Sequence, residues 1–163
     1  MAYRGCLVCT GNICRSPMAE SVFRARIVEA GLDGVVEADS AGTDGRHAGD
    51  GADPRAVAVL EENGYAADHT ARRFDPSWFA RLDPVVALDA SHPRTLRRLA
   101  PTQRDADKVR LLRSYDPGAG DDLDVPDPYY GETDGFYACL EMVEAAGTGL
   151  LSSIREQAEG QAA

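Results

Sequence analysis

The chain has little of what would place it in a membrane, on a nucleic acid or in a disulfide scaffold. No apolar run in its 163 residues approaches the ~20 that a spanning helix needs. The N-terminus lacks the long apolar stretch and small-residue cleavage site of a secretory leader. Basic residues are outnumbered 17 to 27, for a formal charge of −10, which argues against a generic nucleic-acid binder. Cysteine is scarce and poorly distributed for stapling a fold: Cys6, Cys9 and Cys14 crowd the N-terminus, and the next is Cys139. The three histidines, His47, His69 and His92, are isolated and complete no zinc pattern, so neither metal nor cofactor is expected. These features predict a reduced, cytoplasmic protein whose N-terminal cysteines do chemistry. The charge is also unevenly placed. Residues 1–113 hold 16 basic and 16 acidic residues, so the excess lies in the last third, read as a solvated acidic face.

What is present reads as strands alternating with helices. The length fits one domain, drawn at residues 1–157 with a flexible tail at 158–163. Tyr3–Val8 is a short apolar strand weakened by Gly5. A helix follows over Pro17–Ala30, with Ser16 as cap and Gly31 as stop. Val35–Ala41 is a second strand, and Asp53-Pro54 opens a second helix running to Asn63-Gly64. Asp75-Pro76 opens a short third. Pro84–Leu88 is a buried strand, starting one residue later if Pro84 would break a ladder bond. Pro93–Ala100 is a helix, Val109–Leu112 a fourth strand and Ser114–Asp134 a long loop. Gly135–Gln157 is helical with a soft spot at Gly147-Thr148-Gly149. This order predicts an α/β three-layer sandwich: a four-stranded parallel twisted sheet with helices on both faces. Ligands of such sheets sit beyond the carboxyl ends of the strands, near a topological switch.

The most unusual segment falls there, between strand 1 and helix 1: Cys9-Thr10-Gly11-Asn12-Ile13-Cys14-Arg15-Ser16-Pro17. Thr, Gly and Asn suit a tight loop with positive φ. The amides of Thr10 to Arg15 and the helix N-terminus make a phosphate-binding cradle. Arg15 offers a planar fork to two phosphate oxygens. Cys9 at the floor of that field is expected as a thiolate, a nucleophile aimed at phosphorus, with Ser16 placed to donate to the sulfur. Asn12 is expected to hold the loop rigid.

A phosphate ester with a poor leaving group calls for a proton donor. Five Asp–Pro pairs compete for the task, at Asp53, Asp75, Asp83, Asp116 and Asp127. Three read as helix caps or strand entries, and Asp116 as a turn residue. Asp127 lies between Pro126 and Pro128 and is followed by Tyr129 and Tyr130, so a stiff loop would hold its carboxyl in place.

The string from Cys9 to Glu20 resembles the signature of the low-molecular-weight protein tyrosine phosphatases, most closely actinobacterial members. The likeness continues in Asp39-Ser40-Ala41-Gly42-Thr43, Asp68-His69-Thr70-Ala71-Arg72, Ala87-Leu88-Asp89, Ser114-Tyr115-Asp116-Pro117 and Asp127-Pro128-Tyr129-Tyr130-Gly131. The resemblance implies a metal-free, two-step hydrolysis of phosphotyrosine in proteins through a phosphocysteine. By position, Cys9 is the nucleophile, Arg15 the phosphate clamp, Ser16 the thiolate's partner and Asp127 the general acid and base. Ser40 and His69 are the expected partners of Asn12. Tyr129 and Tyr130 would wall the aryl ring, and family members are often phosphorylated there by tyrosine kinases. A second wall, often aromatic, is here Arg46-His47, with Arg46 in an aromatic's place. Cys14 is the family's partner for a reversible disulfide with Cys9. Relatives commonly act as monomers.

Three other readings differ in their demands. A thiol-dependent arsenate reductase on this fold needs two further cysteines in mid-chain, and none lies between Cys14 and Cys139. A protein-arginine phosphatase carries Thr in place of Ile13 and one aromatic after Asp-Pro. A phosphotyrosine-binding module has no need of both Cys9 and Asp127.

Overall fold

The computed structural model describes residues 3–162, with side chains through residue 157. Strand β1 spans Tyr3–Cys9, β2 Val36–Gly42, β3 Val85–Ala87 and β4 Val109–Leu111. Helix α1 spans Arg15–Glu29, α2 Pro54–Glu62, α3 His92–Leu99, α4 Gln103–Ala106 and α5 Thr133–Ala162. Short 3-10 turns occupy Pro76–Ala80, Leu112–Tyr115 and Pro128–Tyr130. The sheet order is β2-β1-β3-β4 and every pairing is parallel, from Tyr3↔Val36 through Cys6↔Val85 to Val85↔Val109. The chain leaves β1 for one neighbour and later returns to the other. The end of β1 is therefore the topological switch.

Alternation along β1 divides the core into two layers. Leu7 and Cys9 join Met18, Val22 and Phe23 of α1 and Phe136, Leu140 and Val143 of α5. Cys6 and Val8 face the opposite layer, with Phe74, Phe79, Leu82 and Leu96. On α5, Phe136, Cys139, Leu140, Val143, Ala146, Leu150 and Ile154 recur at helical spacing and are all buried. Each large side chain removed from water stabilises the fold by about 1.5–3 kcal/mol.

Several element ends differ from the sequence reading. Helix α1 begins at Arg15, and its N-cap, Cys14, makes no side-chain capping bond. Ser16 is not the cap; it is buried one position inside the helix and bonded elsewhere. Strand β3 starts at Val85, after Pro84, whose carbonyl accepts from the Cys6 amide at 3.1 Å. Strand β4 ends one residue early, at Leu111, where the chain tightens into a 3-10 turn.

Helix α5 starts two residues earlier than expected and passes Gly147 and Gly149 without a break. A Cβ at Gly149 would sit 1.9 Å from the Tyr115 carbonyl oxygen. Glycine is there for close approach, not for flexibility. The backbone of α5 stays helical to Ala162, where a tail from 158 was expected; Ala and Gln are good helix formers. Ala163 lies outside the described residues.

Candidate active site

The segment after β1 folds back on itself around Asn12, whose φ of 57° is left-handed. Its carbonyls are turned outward and engaged. Cys9 O accepts from the Thr43 amide, Thr10 O from Asp44 and Ile13 O from Asp53, at 2.8–3.0 Å. The Asn12 carbonyl accepts from His69 Nε2 at 2.6 Å. A carbonyl only accepts, so Nε2 carries the proton. Because peptides are planar, outward carbonyls turn the amides toward the hollow. That hollow opens directly on the uncapped N-terminus of α1, where orphan amides and the helix dipole favour an anion. The end of β2 presses close behind the loop: a Cβ at Gly42 would lie 2.6 Å from Thr10 O.

Asn12 is fully buried and every side-chain atom that can bond does so. Nδ2 donates to Ser16 Oγ at 2.8 Å and to Ser40 Oγ at 2.9 Å, while Oδ1 accepts from the Arg72 amide at 3.0 Å. Ser40 thus meets the Asn12 side chain, and His69 reaches its backbone instead. Ser16 Oγ, accepting from Asn12, is free to turn its own hydrogen to Cys9 Sγ at 3.0 Å, with the Ala41 carbonyl a longer acceptor at 3.5 Å.

Arg15 is 3% exposed. Nη1 donates to Asp89 and, at 3.0 Å, to the Val125 carbonyl. Nη2 donates to Thr10 Oγ1 at 3.4 Å and lies 3.7 Å from Asp127 Oδ2. Burial works against the charge, but Cys9, Asp89 and Asp127 outweigh it, and the pKa of Arg15 is raised. Burial likewise favours neutral Asp89, yet hydrogen bonds from Ser91 and Arg15 prevail and hold its carboxyl below the usual range. Burial pushes the Cys14 thiol up.

One pocket gathers Cys9, Thr10, Gly11, Ile13, Cys14, Arg15, Arg46, His47, Asp127, Tyr129 and Tyr130, with Asp44 on its rim. Tyr129 and Tyr130 meet edge to face, 5.0 Å between centroids. His47 stands 6.3 Å from Tyr129 at a tilt, and Arg46 is an exposed rim charge 3.6 Å from Asp44. Asn12, Ser16, Ser40 and His69 stand behind the loop rather than in the hollow.

Four contributors escaped the sequence reading. Asp89 in the β3–α3 connection and His92 at the start of α3 brace the loop. Asp44 supports the loop backbone. Arg55 grips the Tyr129 and Gly131 carbonyls at 3.0 and 3.1 Å and bonds Asp53, tying the tyrosine turn to α2. Only Asp53-Pro54 and Leu88-Asp89 were visible as local signals, and neither pointed across the chain.

A thiol and a guanidinium in an anion-shaped loop at the switch of a parallel sheet define the class of cysteine-based phosphatases. Comparison with known proteins narrows the class. The family model described as "Low molecular weight phosphotyrosine protein phosphatase" matches residues 5–160. A low molecular weight protein-tyrosine-phosphatase of Streptomyces coelicolor is 73% identical over 100% of both chains. Protein-tyrosine phosphatase A of Mycobacterium tuberculosis is 45% identical over 92% of this chain and 90% of its own. A crystal structure of a protein tyrosine phosphatase from Entamoeba histolytica with Hepes in the active site superposes with a TM-score of 0.91 at 32% identity, covering 96% of this chain and 99% of that one. The chain belongs to the low molecular weight phosphotyrosine protein phosphatase family.

Proposed function

We propose that the pocket hydrolyses phosphotyrosine in proteins through a phosphocysteine at Cys9. The phosphoryl group sits on the amides of Thr10 to Arg15, with the Arg15 guanidinium on two of its oxygens. Cys9 sulfur attacks phosphorus, the P–O bond to the phenol breaks, and Asp127 gives its proton to the departing oxygen. The resulting carboxylate takes a proton from water, which attacks phosphorus. The S–P bond breaks, leaving inorganic phosphate and a thiolate. Ser16 stabilises that thiolate in both steps.

The observation that carries this reading is the Cys9–Ser16 contact, 3.0 Å long and set beneath the uncapped end of α1. Depth selects the aryl ester: the thiol is 3% exposed at the floor, while Tyr129 and Tyr130 rise at the mouth to flank a ring. Phosphoserine is too short to bring its phosphorus to the sulfur and its backbone past that wall.

The finer assignments rest on the same geometry. Tyr130, 83% exposed, is open to a tyrosine kinase. The proposed nucleophile, clamp, acid and ring wall are complete within one chain, so the reaction as written needs no residue of a second copy and the enzyme is read as a monomer. The proposed chemistry needs Cys9 as a free thiol, which a reducing cytoplasm maintains. No helix among the described residues is long and apolar enough to cross a membrane.

Rapid quenching of the enzyme with an aryl phosphate, followed by peptide mass analysis, tests the reading. A phosphoryl adduct on the Cys9 peptide is expected, with no turnover by C9S. Turnover by C9S, or a quenched enzyme without adduct during a product burst, overturns it.

A further inference from the structure

His92 opens α3 and is 3% exposed, yet no step above uses it. Its Nε2 lies 2.9 Å from Thr10 Oγ1. Its Nδ1 has no hydrogen-bond partner among the described residues and faces Asp89 Oδ1 at 3.5 Å. Thr10 Oγ1 also receives Arg15 Nη2, and Asp89 receives Arg15 Nη1. Arg15, Thr10, His92 and Asp89 therefore close a ring of side chains around one wall of the loop.

The ring has a direction. Burial lowers the pKa of His92, so the imidazole is neutral and carries one hydrogen. On Nε2, that hydrogen would leave the Nδ1 lone pair facing a carboxylate. On Nδ1, it lies on the side of that carboxylate, whose Oδ1 is 3.5 Å from the nitrogen and short of a hydrogen bond, and Nε2 accepts from the Thr10 hydroxyl. Asp89 thus selects the Nδ1–H form. The Thr10 hydrogen is then committed to His92, and Oγ1 turns a lone pair toward Arg15.

We infer that His92 is a positioning residue for Arg15, holding both arms of the guanidinium through Thr10 on one side and Asp89 on the other. It touches neither phosphorus nor sulfur. It also serves the carboxylate: when a phosphoryl group draws Arg15 away, Nδ1–H adds a charge-facing donor beside the two that Ser91 already gives to Asp89 Oδ1. The inference rests on the reading of Arg15 as the phosphoryl clamp.

Two measurements test it. In the native enzyme labelled with 15N-histidine, the ring nitrogens of His92 should show the Nδ1–H tautomer; an Nε2–H ring overturns the inference without any variant. In kinetics, His92→Asn still reaches Asp89 but falls short of Thr10, whereas His92→Gln places an amide near Nε2. H92N should lower kcat/KM for p-nitrophenyl phosphate about tenfold, raise the inhibition constant of inorganic phosphate by a similar factor, and do so equally for good and poor leaving groups. H92Q, which keeps the Thr10 link and gives up the Asp89 one, should fall between H92N and the native enzyme. T10V and T10V/H92N should agree within about threefold, because both cut the same link. Unchanged phosphate inhibition in H92N, or losses that multiply in the double variant, overturns the inference. R15K separates the two readings: native activity in R15K removes the clamp, whatever His92 does.

Discussion

Asp127 Oδ2 lies 3.7 Å from Arg15 Nη2, near enough for attraction and too far for a hydrogen bond. The other oxygen, Oδ1, accepts from the Tyr129 amide at 3.1 Å and fixes the carboxyl at the start of the tyrosine turn. The carboxyl and the guanidinium therefore face each other across the hollow with one carboxyl oxygen free of hydrogen bonds among the described residues. In the proposed mechanism, a phosphoryl ester entering between them would meet the guanidinium with its terminal oxygens and the carboxyl with its bridging one.

That arrangement makes the effect of Asp127 depend on the leaving group. D127N should lower kcat for phenyl phosphate by about 10²–10⁴-fold and much less for esters of strongly acidic phenols. A series of substituted phenyl phosphates checks this; equal losses along the series would remove Asp127 from proton transfer.

Asn12 holds the loop at three points and has a left-handed φ. N12A should cost about 1–3 kcal/mol, because the Arg72 amide loses its acceptor and alanine tolerates φ 57° poorly. Thermal melting measures the cost. Activity should fall further than stability does, as Ser16 loses the partner that orients its hydroxyl.

Asp53 caps α2 and grips Arg55, whose hydrogen bonds hold its carboxyl below the ordinary carboxylate range. A depressed folded-state value means stabilisation that is present above the unfolded value of ~3.9 and is lost as pH falls through the lower folded one. D53N keeps a capping oxygen for the Arg55 amide but loses the charge that the Arg55 guanidinium grips, so it should melt lower than the native chain at pH 7. The two curves should converge below about pH 4, which melting across pH would show.

Gly149 cannot accept a side chain without moving the Tyr115 carbonyl. G149A gains helix propensity, yet it should lose about 1–3 kcal/mol to the clash. Higher stability in urea would show that the 3-10 turn yields freely.

Arg46 stands where an aromatic wall was expected. R46W should lower KM for phenyl phosphate several-fold, by the ~0.5–1.5 kcal/mol of a ring contact, and leave kcat nearly unchanged. A change in kcat of the same size would mean that Arg46 acts on the reacting groups.

The order of elements was legible because its punctuation is local. Asp53-Pro54, Asp75-Pro76 and Pro93 each mark a helix start, and Pro84 marks where the β3 ladder begins. The loop was legible for a related reason: nine consecutive residues carry its chemistry. Asp89 and His92 were not, since each acts across more than 70 residues and neither belongs to a local pattern that names its partner. Gly147 and Gly149 were misread because the sequence shows a helix's composition but not what its back face passes. Ser16 looked like a cap, the commonest role for serine before a helix, but a thiol and an amide claim its hydroxyl first.

The segment bearing Asp127 is fastened well before substrate arrives. The Val125 amide donates to the Leu88 carbonyl at 2.8 Å, and Arg113 reaches the Asp124 carbonyl at 3.0 Å. Arg15 and Arg55 hold it from either end. The disorder these residues would otherwise surrender to a ligand has already been given up when the polypeptide folds. An incoming phosphopeptide finds a finished socket, so turnover should be indifferent to solvent viscosity except where product departure is slow.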